Sequence, residues 1–393
     1  MTWWPRLRPP PLPVAAAGWT AALFAAFDLL DAKRMLWDRP YGNDFRLFYS
    51  AARVGVARGW SHLYDLQAQS AAVTSLGPGF YWSPFINPPP MAWLALPFTT
   101  FPFRPALLLW TAFVAAGLLL AWSLAAPGDG WARLAYLLLA LGLFPVAFGI
   151  LIGQAPALVA AAAAGCWWLL TRPRRRSVWA GVVLGVMALK PQTALLVPPA
   201  LLAAGYWRTF TACAAVAGAL ALVSAVALGT AGIADYLYAL SIASTWELTQ
   251  RYAVAGVIGV GPQLVVAQVA AVAVTLGAAW RHRAGGPELP IAVGLVGSLL
   301  FTRYIGIQDL TVLLVAAWLT LRAEPPLWLK VLLLAGVLPV ELALVLGPVP
   351  LIAWETALLI GLATAAGNRF AVRRAGSSRP DELISPPATA APR

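Results

Sequence analysis

Continuous apolar blocks, each close to twenty residues long, constrain this chain more than any other feature. Residues 103–124 carry one charge, Arg104, and residues 209–229 carry none. About 20 apolar residues in a helix cross the ~30 Å hydrocarbon core of a bilayer. Lipid offers the backbone no water, so only helices and closed barrels span it. Barrel strands alternate apolar and polar residues, which these blocks do not. The chain therefore reads as an all-α polytopic integral membrane protein. Composition agrees: of 393 residues, 61% are hydrophobic and 11% charged, against about 25% charged in soluble domains. A soluble enzyme, a disordered chain and a nucleic-acid-binding domain are excluded, the last despite a net charge of +12.

Candidate spans cover 12–30, 103–124, 133–150, 154–171, 178–190, 191–206, 209–229, 259–280, 287–302, 308–322, 326–346 and 349–366. Arg6 and Arg8 precede the first, which is long enough to span and reads as a transmembrane helix rather than a cleaved signal peptide. Block 85–101 is broken by Pro88, Pro89, Pro90 and Pro97 and reads as re-entrant or interfacial. Basic residues set the orientation. The run from Arg172 through Arg174, Arg175 and Arg176 is assigned to the cytoplasm, with Arg208, Arg281, Arg283, Arg322, Arg369, Arg373 and Arg374. This gives one domain over 1–366 of about twelve crossings, both termini inside. A tail at 367–393, rich in Ser, Pro and Ala, is expected to be disordered. Loops 31–84 and 230–258 fall outside. The first carries Lys33, Arg34, Arg39, Arg46, Arg53 and Arg58, against the positive-inside rule.

The polar residues at block ends are few enough to weigh singly. Residues 45, 48, 52 and 56 are apolar at helical spacing, with Arg46, Ser50 and Arg53 on other faces. That pattern predicts an amphipathic helix on the outer leaflet. Asp44 at its start is either an N-cap or a carboxylate held at the membrane surface beside a basic face. Lys190, before Pro191, either snorkels to water or offers a point charge to a phosphate. Gln154, in the Gly153-Gln154 break, either caps a helix or belongs to a site. Arg303 and Asp309 either pair with each other or serve a site, since charges at the membrane edge are functional candidates. Glu341 and Glu355 read as packing groups, and Cys166 and Cys213 as small apolar fillers. His62 and His282 fall on opposite sides, and no carboxylates cluster, so neither a metal nor a cofactor is expected. Asp44, Gln154, Lys190, Arg303 and Asp309 all arrive at the outer face. A carboxylate with cations at a lipid interface suits transfer from a lipid-linked phosphate.

Several of these residues recur in an ordered pattern. Asp44-Phe45-Arg46-Leu47-Phe48-Tyr49-Ser50-Ala51-Ala52-Arg53 is followed by Gly59, Leu63-Tyr64-Asp65, Tyr81, Pro88-Pro89-Pro90, Leu96-Pro97 and Leu109-Trp110. Gly153-Gln154, Ala180-Gly181 with Gly185, Lys190-Pro191 and residues 302–310 continue it. Over roughly residues 40–320 the pattern resembles glycosyltransferase family 87, polyprenyl-phosphate-mannose-dependent α-(1→2)-mannosyltransferases of the GT-C fold class. The resemblance implies a GT-C-like bundle in the plasma membrane with its active site on the extracytoplasmic face. It implies Asp44 as catalytic base and Lys190 against the departing donor phosphate. Arg303 stands where the family has Pro, and no His occurs there; Arg303 is expected to bind phosphate. Tyr49, Arg53, Gln154 and Asp309 are candidate substrate contacts. The implied partners are a polyprenyl-phosphate-sugar donor, a glycolipid, polysaccharide or protein acceptor, and the bilayer itself, with no nucleic acid.

Two alternatives stand beside a mannosyltransferase: the same fold with another lipid-linked sugar, and a lipid or solute transporter. Transporters place ionisable groups near the midplane, often in repeated halves, whereas this chain gathers its charges at one surface and shows no repeat. Topology is checked by cysteine labelling in intact cells. A cysteine at Asp65 is expected to react with an impermeant reagent from outside, and one at Arg175 only after permeabilisation. Labelling of both from one side would contradict this orientation.

Overall fold

The computed structural model describes residues 18–26, 33, 36, 38, 43–172 and 176–365. Arg174 and Arg175, the tail 367–393, much of the first span and most of 31–42 lie outside the described residues. Those described form helices and turns, with no strand among them.

A helix α1 (Phe45–Arg58) is followed by α2 (Leu66–Thr74), α3 (Pro89–Ala95) and α4 (Phe103–Ala125). The chain continues through α5 (Gly130–Gly142), α6 (Phe144–Leu151), α7 (Pro156–Leu170), α8 (Ser177–Leu184), α9 (Val197–Ala203) and α10 (Trp207–Ala243). The last part comprises α11 (Pro262–Arg281), α12 (Glu288–Phe301), α13 (Val312–Arg322), α14 (Leu327–Ala335) and α15 (Pro348–Thr364). Three of them, α4, α10 and α11, are long and apolar enough to cross a membrane; the pair α5 and α6, bent by 67°, makes a fourth if it is one span. The chain is therefore an all-helical membrane protein.

Two helices occupy the centre. In α7 almost every side chain is buried, and in α12 the run from Glu288 to Leu300 is. Small residues at Ala160–Gly165 let neighbours approach closely, the usual device of helix packing in lipid. Helix α7 packs on α4 and α8, and α12 on α9, α11, α13 and α15. The peripheral α10 and α11 expose apolar side chains such as Val226 and Val266, as lipid-facing surfaces require.

Several expected spans are interrupted. Segment 178–190 is α8 followed by a tighter 3-10 turn, Gly185–Leu189; 191–206 is a short turn and then α9. Pro191 explains the stop, because a proline drives the residue before it out of the helical region; Lys190 sits at φ −149°, ψ 71°. Segment 326–346 is likewise α14 plus two short turns, Val337–Glu341 and Ala343–Leu346. Block 85–101 contains α3 and a 3-10 turn, Leu96–Thr100, packed against α1.

Two expectations about the outer segments are overturned. Residues 230–258 are not a plain loop: the chain breaks at Gly229 (φ 61°), where the expected span 209–229 ends, and a second helical stretch within α10 continues to Ala243. This extension packs on the first outer segment, where Tyr236 stacks on Tyr64 at 4.4 Å between ring centroids. Helix α1 is not a freely exposed amphipathic helix. Its first eight residues are buried, Arg46 included, at 1% exposure. The cause is aromatic packing from both sides. Phe45 stacks on Trp110 at 5.0 Å, and Phe48 meets Trp110 and Phe85 edge-on.

The start of α1 is fastened to the break between α6 and α7. Asp44 N donates to Ile152 O at 2.8 Å, Asn43 Nδ2 donates to Leu151 O, and Trp110 Nε1 donates to Gly153 O at 2.7 Å. Gly153 has φ 80°, and a Cβ there would sit 2.9 Å from Phe45 Cβ and 3.1 Å from Trp110 Cδ1. Gly153→Ala therefore adds a clash to the ~1–2 kcal/mol cost of a left-handed L residue. Gly205, at φ 90° with open space around it, carries only the second cost. The melting temperature in detergent should fall further for Gly153→Ala than for Gly205→Ala; equal losses would show that the contact at Gly153 does not matter.

Candidate active site

Breaks in three helical segments, together with the start of α1, bring four polar side chains into one chain of contacts. Asp44 immediately precedes α1. Gln154 lies between Gly153 and Pro156, where α6 ends and α7 begins. Lys190 lies between two 3-10 turns, and Asp309 lies in the turn Ile307–Thr311 that leads into α13.

Gln154 Nε2 donates to Asp44 Oδ2 at 2.7 Å. Lys190 Nζ donates to Gln154 Oε1 at 2.8 Å. The same ammonium is 2.6 Å from Asp309 Oδ1, an ion pair without a directed hydrogen bond. Asp309 Oδ2 accepts from Gly306 N at 3.0 Å, tying the far end to backbone. Lys190 is 4% exposed, Gln154 8% and Asp309 2%. Asp44 alone keeps an open edge, its side chain 30% exposed.

This geometry decides between the readings the sequence left open. Asp44 does not cap α1: its backbone is helical, at φ −70° and ψ −21°, and its side chain makes no capping bond. Asn43 Oδ1 takes the Phe45 N–H instead, at 2.8 Å. Asp65 is a true cap, accepting from Gln67 N and Ala68 N. Lys190 does not snorkel, since it is buried and paired. Asp309 pairs with Lys190 rather than with Arg303, and Arg303 is exposed. Arg46 is no part of a basic lipid-facing surface. Its Nη1 donates to Asn43 O at 2.6 Å and its Nε to Tyr81 O at 2.9 Å, with the guanidinium over the Tyr81 ring. Arg46 Nη1 also lies 3.6 Å from Asp44 Oδ1, a charge contact too long for a hydrogen bond.

The remaining candidates fall elsewhere. Tyr49 is buried, and its hydroxyl donates to Phe101 O at 2.8 Å, so it holds the fold and is not free for substrate. Arg53 is exposed, but nine residues along α1 separate it from Asp44, about 13 Å at the helical rise. Glu341 accepts from Phe144 N at 2.6 Å at the head of α6, a packing role. Glu355 is buried with no hydrogen-bond partner for either oxygen. Among the described residues no three His, Cys, Asp or Glu side chains converge as a metal would require.

Electrostatics distinguish Asp44. Protein surrounds all but its open edge, and this burial raises its carboxyl above the ordinary carboxylate range. The Gln154 hydrogen bond and the charges of Arg46 and Lys190 pull the other way. A general base works best with a pKa near the working pH, and a raised aspartate moves in that direction. Oδ2 is held by Gln154, while Oδ1 makes no hydrogen bond and has Arg46 Nη1 at 3.6 Å.

An apolar groove of about 240 Å³ is lined by Leu143, Val146, Leu310, Leu314, Trp318 and Val340 among others, and by none of the four polar residues. Leu310 follows Asp309 directly in the chain.

The helical bundle thus presents one oriented, partly exposed carboxylate, Asp44. The model of glycosyltransferase family 87 matches residues 85–304, more than half the chain, and the protein belongs to that family. It is a membrane glycosyltransferase. Gln154, Lys190 and Arg303 lie inside the matched stretch; Asp44 precedes it and Asp309 lies just beyond. No curated protein and no solved structure matches the chain.

Proposed function

We propose that the protein transfers a mannosyl residue from a polyprenyl-phosphate donor to a hydroxyl of an extracytoplasmic acceptor, with Asp44 as general base. The observation that carries this reading is the state of Asp44: it caps nothing, is oriented by Gln154 through Oδ2, and its side chain remains 30% exposed. Family membership supplies the reaction class. The groove beside Leu310 suits an isoprenoid chain, and the sequence resemblance favours mannose.

The chemistry balances with one carboxylate. Asp44 Oδ1 takes the proton of the acceptor hydroxyl. The acceptor oxygen forms a bond to the anomeric carbon as the bond from that carbon to the phosphate oxygen breaks. The electron pair leaves with the polyprenyl phosphate, a stable anion that needs no acid to depart. Direct displacement inverts the anomeric centre. Arg303, exposed just before the turn that carries Asp309, is the cation this reading assigns to the phosphate. The bundle crosses the membrane about twelve times, with the short and bent segments paired into spans, and the site faces outward from the plasma membrane. Acceptors are glycolipid, polysaccharide or protein hydroxyls on that side.

Replacement of Asp44 by Asn tests this directly. Asn keeps the shape and still offers an oxygen to Gln154, but it cannot serve as a base. Transfer of radiolabelled mannose from polyprenyl-phosphate-mannose into membrane acceptors should fall at least ~10²-fold. Expression, melting temperature and donor binding should stay near wild type. Transfer within a few-fold of wild type would remove Asp44 from the mechanism.

A further inference from the structure

The same chain of contacts assigns a second role, which rests on Asp44 being the base. We propose that the buried Lys190–Asp309 pair is a positioning device: it fixes the amide of Gln154, which in turn aims Asp44. Lys190, Gln154 and Asp309 are then positioning residues, and none of them touches substrate.

The argument begins with what an ammonium can do. It carries three N–H donors and no acceptor. The amide atom 2.8 Å from Lys190 Nζ must therefore be the carbonyl Oε1. This settles an orientation that the shape of an amide leaves open. The NH2 group then points the other way and donates to Asp44 Oδ2 at 2.7 Å. A flipped amide would turn a carbonyl toward a carboxylate, two acceptors facing each other. With Lys190 gone, the amide keeps only its bond to Asp44 and loses the contact that fixes its other end.

Asp309 completes the device. Its Oδ1 neutralises the ammonium and its Oδ2 is held by Gly306 N, so the cation is anchored to backbone. Gln154 is fixed from its own side, its N–H donating to Gly149 O at 2.9 Å. The charged groups facing Asp44 are Arg46 on its own helix, with Tyr81 behind it, and Lys190 backed by Asp309. Two carboxylates and two cations balance, so the site is neutral before substrate enters.

The same packing argues against Lys190 as the phosphate ligand. At 4% exposure it could reach a phosphate only by giving up Asp309, which would leave a carboxylate buried and uncompensated. Breaking a buried pair in that way is strongly unfavourable. Arg303 is exposed and requires no such exchange.

The test uses the full chain in nanodiscs and reads the Asp44 carboxyl by infrared titration, its band identified by loss in Asp44→Asn. Gln154→Met removes the donor and should move the Asp44 midpoint up by about 1 pH unit or more. The double variant Lys190→Met with Asp309→Leu removes both buried charges together, which a fold tolerates better than losing one. It should also raise the midpoint, and adding Gln154→Met to it should produce little further shift, because coupled residues are not additive. In transfer assays kcat should fall at least ~10-fold in both variants, with the KM for polyprenyl-phosphate-mannose unchanged and the acid limb of the pH–rate profile moved to higher pH. An unmoved midpoint in folded Gln154→Met, or a double variant that raises donor KM while keeping kcat, would overturn the proposal. The infrared comparison needs no donor. A wild-type protein that failed to transfer mannose would therefore sink the functional reading alone.

Discussion

A lysine ammonium sealed inside a helical bundle must be matched by partners, and the surroundings of Lys190 are arranged around that requirement. Lys190 meets a carboxylate at 2.6 Å and an amide carbonyl at 2.8 Å. The partners come from different breaks in the bundle, so the cation joins the α6–α7 junction to the turn before α13. Removing Asp309 would strand the ammonium in a low-dielectric interior, at a cost of several kcal/mol. The pair is thus an assembly constraint as well as part of a site.

Broken helices make this possible. A continuous helix consumes its own backbone groups and turns side chains outward. At Gly153 and at Lys190 the helix stops, and the chain offers polar atoms inside an otherwise apolar bundle. The same breaks free backbone groups: Ile152 O and Gly153 O accept from Asp44 N and Trp110 Nε1. Helix α1 is consequently fixed at the end that carries Asp44, while its far end holds exposed Arg58. Rigidity is concentrated where a base has to be aimed within a fraction of an ångström.

Much of this was legible from one dimension. Apolar blocks identify a membrane protein because lipid tolerates so few backbone solutions. Polar residues at block ends stand out against that background, which is how Asp44, Gln154, Lys190 and Asp309 emerged together. Pairing was not legible. The sequence offered Arg303 as the neighbour of Asp309, six residues away, whereas the partner in the structure is Lys190, brought close only by tertiary packing. Helix α1 misled for a related reason. Its basic residues suggested a solvated face, but Arg46 finds two backbone carbonyls and an aromatic ring within the fold. The extension of α10 past Gly229 could have been read: Ile233, Tyr236, Leu237 and Leu240 recur at helical spacing.

The central claim is that an acceptor hydroxyl meets Asp44 Oδ1 while Lys190 stays with Asp309 and Gln154. A structure of the protein bound to a non-hydrolysable polyprenyl-phosphonate mannose measures this most directly. The account predicts the anomeric carbon beside Asp44, the phosphonate against Arg303, and the Lys190–Asp309 contact still near 2.6 Å. A phosphonate bound to Lys190, with Asp309 displaced, would contradict it.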